Sequence, residues 1–220
     1  MTVANTTREQ VLDRIRKATS SVATGPSQLN EQYTAIPRPY VRKGALHGAA
    51  KQALLMERLR DYEAEVAEST QDNLGQAIGS MLAARDAGVL AVPGGVPPAW
   101  KIPQVDWRID QGLSNAEIEK VDGVLTGAFC AIADSGTIVL HHTSCEGRRA
   151  LTLLPDWHLC ILFASQVVET LPEYFERARP APKLVTWISG PSATADIEMT
   201  RIKGVHGPRQ LSVILVNDEE

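Results

Sequence analysis

The chain has 220 residues, with 22 Lys and Arg against 26 Asp and Glu and a formal net charge of −4. That length suits one large domain, or one domain with an appendage, and the apolar and charged fractions are those of an ordinary globular protein. No basic stripe is present for nucleic acid, no polybasic segment for anionic lipid, and the longest apolar stretch, LCILFASQVV, is too short for a bilayer span.

The opening MTVANTTREQ lacks the apolar core of a secretory signal. TTREQVLDRIRKAT reads as a helix, with Val11, Leu12 and Ile15 at helical spacing. SSVATGPSQLNEQYTAIPRPY is rich in Ser, Gly and Pro and reads as an extended surface connection. A second helix fits ALHGAAKQALLMERLRDYEAEV, ending near Tyr62. Residues 1–65 are therefore expected to form a helical arm, too short and polar to hold a core, ahead of one α/β domain over 66–220.

TQDNLGQAIGSMLAARDAG follows as a helix, capped by Asp72 and stopped by Gly88. VLAVP is a short strand, GGVPPAWKIPQVDW a loop leading into DWRID, and NAEIEKVD a short helix capped by Asn115. GVLTGAFCAIADSGTIVLHH reads as strand, bend, strand, tight turn and strand, with Gly136 able to take a positive φ. HLCILFASQVV, LVTWIS and LSVILVN are apolar without alternation, the pattern of strands buried on both faces. LPEYFERA supplies a helix between two of them. The order is βαβ with one hairpin inserted, so the fold class is α/β: an open, mostly parallel or mixed sheet flanked by helices.

The chain has no G-x-G-x-x-G, no P-loop, no C-x-x-C and no G-x-S-x-G. Cys130, Cys145 and Cys160 are scattered and odd in number, which suggests reduced thiols in a cytoplasmic protein. His141, His142, Cys145 and His158 do not make a convincing metal set, because adjacent histidines near a strand end point to opposite faces. Three stretches are polar where their surroundings are structural. Asp134, Ser135 and Thr137 crowd the hairpin turn, either satisfying turn amides or presenting donors to a ligand. Arg148 and Arg149 are either a solvated pair or a fork for a carboxylate or phosphate, with Glu146 nearby as a conceivable base or nucleophile. ISGPSATADIEM leaves a strand through Gly190, Pro191 and Ser192 into an expected short helix. A strand feeding a helix N-terminus at the carboxyl edge of an open sheet is where such proteins bind ligands. Asp196 opposes an anion there unless Arg201 or Arg209 neutralises it.

TGAFCAIADSGTIVL, GRRALTLLPDWHLCIL, QVVETLPE, ISGPSATADIE and GVHGPRQLSVILV resemble, in that order, the lactate utilization protein C family, the LutC/YkgG group with the LUD domain. The resemblance is collinear over most of Gly88 to Val216. One departure is HHTSCEG, where many relatives carry a Gly- or Pro-rich stretch. The resemblance implies a NagB/RpiA/CoA-transferase-like fold. It also implies a role in oxidising L-lactate to pyruvate beside two iron–sulfur partner subunits. That oxidation moves two electrons, which no side chain holds, and this chain has no motif for a redox cofactor. The expectation is an accessory subunit without a metal or cofactor of its own, offering a crevice for a small carboxylate or phosphate at the carboxyl edge of its sheet. Ser189, Ser192, Thr194, Arg201, His206 and Arg209 would line it, with Ser135 and Thr137 from the hairpin opposite. The alternatives are a stand-alone isomerase or acyl transferase acting on a phosphorylated or CoA-linked substrate through Glu146 or Asp134, and a ligand-free scaffold.

Overall fold

The computed structural model describes residues 7–19, 25–194, 202–203 and 207–218, with the main chain alone at 26, 194, 202 and 203. The chain divides into two units, Met1–Tyr40 and Val41–Glu220. The first carries helices α1 (Thr7–Thr19) and α2 (Pro26–Ala35). The second begins with α3 (Gly48–Asp61), β1 (Glu65–Thr70), α4 (Leu74–Ala83), β2 (Val89–Pro93), β3 (Asp106–Asp110) and α5 (Asn115–Ile118). It continues with β4 (Gly123–Thr126), β5 (Cys130–Ile132), β6 (Thr137–Leu140), β7 (Trp157–Phe163), β8 (Val167–Val168) and α6 (Leu171–Arg177). It ends with β9 (Thr186–Ile188), β10 (Ala193–Thr194), β11 (Ile202–Lys203) and β12 (Gln210–Asn217).

Six strands pair in the order β1-β12-β7-β4-β2-β3, every neighbouring pair parallel. The two apolar runs, β7 and β12, lie side by side in its interior. Their alternate residues go to opposite faces. Leu159, Ile161, Ile214 and Val216 pack with Leu74, Ile78, Met81 and Leu82 of α4. Cys160, Leu162, Val213 and Leu215 pack on the other face with Leu55 and Leu59 of α3. Burial on both faces explains a run with no polar alternation.

A second sheet, β8-β5-β6-β9, covers the α3 face. Its hairpin β5–β6 is antiparallel, and Gly136 takes φ +60° in the turn, where an added Cβ would meet Arg58 at 2.7 Å. Ala131, Ala133, Ile138 and Leu140 face the main sheet. Cys130, Ile132 and Val139 face Tyr174 and Ala178 at α6. The antiparallel pair β10–β11 forms a separate ribbon. Among the described residues no helix is long and apolar enough to cross a membrane.

The α/β expectation stands, and several local expectations are corrected. The unit boundary falls at Tyr40/Val41 rather than near residue 65, because Leu55 and Leu59 of α3 are core residues of the α/β unit. Pro26 opens helix α2 inside the stretch read as extended, where its fixed φ suits a first helical turn. EVAEST, read as the tail of a helix and its exit, is the edge strand β1. Asn73, not Asp72, holds the N-cap position of α4, and that helix ends at Ala83 rather than Gly88. Ser114, not Asn115, caps α5, accepting from the Glu117 amide while Glu117 accepts from the Ser114 amide at 2.8 Å. HLCILFASQVV splits into β7, a 3-10 turn and β8, which leaves for the second sheet. LVTWIS is not a doubly buried strand: among the described residues β9 pairs with β6 alone, antiparallel, and Trp187 on it is 42% exposed.

Candidate functional site

The exit from β9 builds a cavity of about 260 Å³. Ser189, Gly190, Pro191 and Ser192 form one wall. The 3-10 turn Arg149–Thr152 supplies Arg149 and Thr152, because Leu151 between them is drawn into a cluster with Ala91, Ile118 and Val124. The start of β12 and the loop before it add Leu211, Gly207 and Pro208, and the Ser192 amide donates to the Pro208 carbonyl at 2.7 Å. His158, the second residue of β7, also lines the cavity.

His158 is 1% exposed, and burial pushes its pKa down to about 4, so the ring is neutral at pH 7. Its Nε2 lies 2.7 Å from the Thr126 hydroxyl. Arg149 is exposed and makes no ion pair among the described residues. Its neighbour Arg148 is committed elsewhere, with Nε 2.7 Å from Asp110 Oδ2 and Nη2 3.2 Å from Oδ1. Burial raises the Asp110 pKa, but Arg148 and the amides of Gly112 and Leu113 outweigh it and hold the carboxyl below its usual range.

Of the residues singled out in the sequence, Ser189 and Ser192 line this cavity. Thr137 joins them, its hydroxyl 2.8 Å from that of Ser189, and Ser135 is one step further, 2.8 Å from Thr137. This chain of hydroxyls ties the hairpin turn to the cavity wall. Arg209 is not part of that wall; both Nε and Nη2 donate to the Asp156 carboxylate. Ala193 and Thr194 form strand β10, not the start of a helix, so no helix N-terminus opens at Pro191. Arg201 and His206 lie outside the described residues, as does Asp196.

The placement is also different. The cavity sits at the amino ends of β7 and β12, not at the carboxyl edge of the parallel sheet. The cause is β9: it belongs to the second sheet and runs antiparallel to β6, so its exit does not share the main sheet's direction. Arg149, Thr152 and His158 were not among the expected lining residues. The arginine pair was a usable signal, whereas a histidine inside an apolar run reads as core.

Other candidates have structural partners. His142 uses Nδ1 with the Gly147 carbonyl at 2.9 Å and Nε2 with Thr186 at 2.8 Å. His141 stacks on Phe129 at 3.7 Å between centroids and shares a 3.1 Å hydrogen bond with Tyr174. Asp134 is exposed in the hairpin turn, its amide on the Glu169 carbonyl. Glu146 is buried but lies outside this cavity.

An open parallel sheet with helices packed on it, a second sheet over one face and a hydroxyl-lined cavity at one end define the α/β architecture of this chain. The LUD domain matches residues 2–216. Lactate utilization protein C of Deinococcus radiodurans is 36% identical over 220 residues, covering 98% of this chain and 100% of that protein. Lactate utilization protein C of Bacillus velezensis is 34% identical over 125 residues, covering 53% of this chain and 52% of that protein. The crystal structure of a DUF162 family protein from Deinococcus radiodurans superposes with a TM-score of 0.68 at 36% identity, covering 78% of this chain and 99% of that one. The chain belongs to the LUD-domain family that includes the lactate utilization C proteins.

Proposed function

We propose that this chain is a cytoplasmic subunit of a lactate-utilization system, binding a small carboxylate or phosphate in the Ser189–Ser192 cavity. Its relatives are named for lactate utilization. The observation that carries the ligand class is Arg149 beside the hydroxyls of Ser189, Ser192 and Thr152 in a cavity of about 260 Å³. An arginine fork meets a carboxylate or phosphate through two parallel hydrogen bonds. The neutral His158 offers a hydrogen bond to a ligand hydroxyl without adding charge. The size favours a short acid over a CoA-linked substrate, and neither Glu146 nor Asp134 lines the cavity. Lactate oxidation releases an electron pair that these side chains cannot hold. In this reading the chain carries no redox cofactor, and two iron–sulfur partner subunits take the electrons.

Calorimetric titration of the full chain with L-lactate and with inorganic phosphate tests the site. At least one of them binds, and Arg149→Ala, an exposed substitution, weakens it by roughly 10- to 100-fold, as loss of a charge-assisted contact does. Equal binding by wild type and variant, or none by wild type at tens of millimolar, overturns the assignment. Capture of the tagged chain from lactate-grown cells, with iron assayed in the eluate, tests the partners.

A further inference from the structure

The carboxyl edge of the main sheet has a crevice of its own. Within the main sheet the next strand after β2, β3, lies on one side of it, and the next after β4, β7, lies on the other, so the connections part between β2 and β4. Open α/β sheets bind ligands outside the strand ends at such a point. Here the loop Thr143–Gly147 is pressed into it. The Gly95 amide donates to the Ser144 carbonyl at 2.9 Å, and the Gly127 amide to the Cys145 carbonyl at 3.0 Å. The approach is so close that a Cβ at Gly95 would meet Ser144 at 2.6 Å, and one at Gly127 would meet the Cys145 sulfur at 2.9 Å.

The loop does not fill the crevice. Beside it, at the carboxyl ends of β4 and β7, remains a pocket of about 390 Å³. Trp100, Phe129, Ile161 and Phe163 give it apolar walls, with the Trp100 and Phe163 rings 6.1 Å apart between centroids. Glu146 lines it although only 3% exposed. Its carboxylate accepts from the His141 amide and from the Thr143 hydroxyl at 2.9 Å, and among the described residues no cation pairs with it. An ionised carboxylate accepts at about four positions, so two of them are left. A buried carboxylate without a cation is costly unless donors reach it. The one arginine lining the pocket, Arg177, is exposed, its Nη1 on the Ser165 carbonyl.

We propose that this pocket is a second binding site, separate from the Ser189–Ser192 cavity, for a flat nitrogen heterocycle that offers two adjacent N–H donors to Glu146 and carries an anionic tail toward Arg177. Guanine nucleotides have this chemistry. The guanine edge sets a ring N–H beside an amino group, which matches a carboxylate. Adenine puts an acceptor next to its amino group, and uracil flanks its N–H with carbonyls; both meet the carboxylate unfavourably. The apolar walls do not distinguish these rings, so Glu146 makes the selection.

Calorimetry of the full chain with GMP, AMP and UMP decides it. GMP binds, AMP and UMP bind at least tenfold more weakly, and Glu146→Gln loses at least tenfold for GMP. Because Glu146 also holds its own loop, hydrogen–deuterium exchange on the wild type provides an independent reading. GMP should slow exchange at Gly127–Phe129 and Thr143–Gly147. Absence of GMP binding at millimolar concentration, protection confined to Ser189–Ser192, equal affinity for the three nucleotides, or GMP binding unchanged in a folded Glu146→Gln variant each overturns the proposal. None of these readouts depends on lactate, so this assignment and the anion cavity fail separately.

Discussion

The two ends of the parallel sheet hold cavities of contrasting chemistry. At the amino ends of β7 and β12 the walls are hydroxyls, Arg149 and a neutral imidazole. At the carboxyl ends of β4 and β7 they are aromatic rings around the buried Glu146. What separates them is which neighbouring element reaches each end. The second sheet lays the β9 exit across the amino ends, with its small residues and main-chain polar groups. The Thr143–Gly147 loop occupies the carboxyl ends and places an acid there. The difference is therefore set by long-range packing rather than by the parallel sheet.

The largest expected effect tests that packing. Leu55 of α3 is fully buried between the two sheets. Leu55→Ala should cost about 2–5 kcal/mol, as for other large-to-small core substitutions, measured by urea unfolding. With the second sheet loosened, anion binding at the amino end should weaken more than nucleotide binding at the carboxyl end. A cost below about 1 kcal/mol, the usual scale of a surface change, would show that α3 belongs to a peripheral arm after all.

A smaller effect concerns the imidazole that distinguishes the amino end. His158 titrates near 6.5 when exposed but near 4 in the fold. Between those values the unfolded chain binds the extra proton, so stability is complete above about pH 6.5 and is lost as pH falls toward 4. The shift corresponds to about 3 kcal/mol. Burial likewise lowers the His141 pKa, which adds loss in the same direction. The His158 contribution is therefore the difference in pH slope between wild type and His158→Gln, measured by urea unfolding from pH 7 to pH 4. Parallel slopes, or a His158 NMR titration near 6.5, would contradict a neutral buried ring.

The sequence made the central strands legible because β7 and β12 are buried on both faces, and hydrophobicity reports that directly. It hid β1, whose EVAEST is polar because an edge strand is only half covered. It overstated β9, since Leu184 and Trp187 are apolar yet more than 40% exposed, and apolar content does not require burial. In the cavity, Ser189 and Ser192 were readable because Gly-Pro punctuation marks a strand exit. His158 was not, because its contact with that exit depends on a strand from another sheet. Arg149 and Arg209 looked alike in sequence. An acid residue 53 positions away from Arg209, Asp156, separates them.

That pair gives the smallest expected effect and the sharpest contrast. Arg209 and Asp156 have side chains 59% and 56% exposed. An exposed ion pair is screened and must hold two side chains in one geometry, so it contributes about 0–1 kcal/mol even when bidentate. Asp156 also accepts the Gln210 amide through its main-chain carbonyl at 3.1 Å, and that anchor at the start of β12 survives loss of the side chain. Arg209→Ala should therefore shift the melting temperature by no more than a few degrees. It should leave the anion affinity within about twofold of wild type, because Arg209 does not line the cavity. A double-mutant cycle with Asp156→Ala should give a coupling below about 1 kcal/mol. Tenfold weaker anion binding in Arg209→Ala, with its melting temperature unchanged, would mean that Arg209 leaves Asp156 for the ligand. The amino-end site would then hold two arginines instead of one.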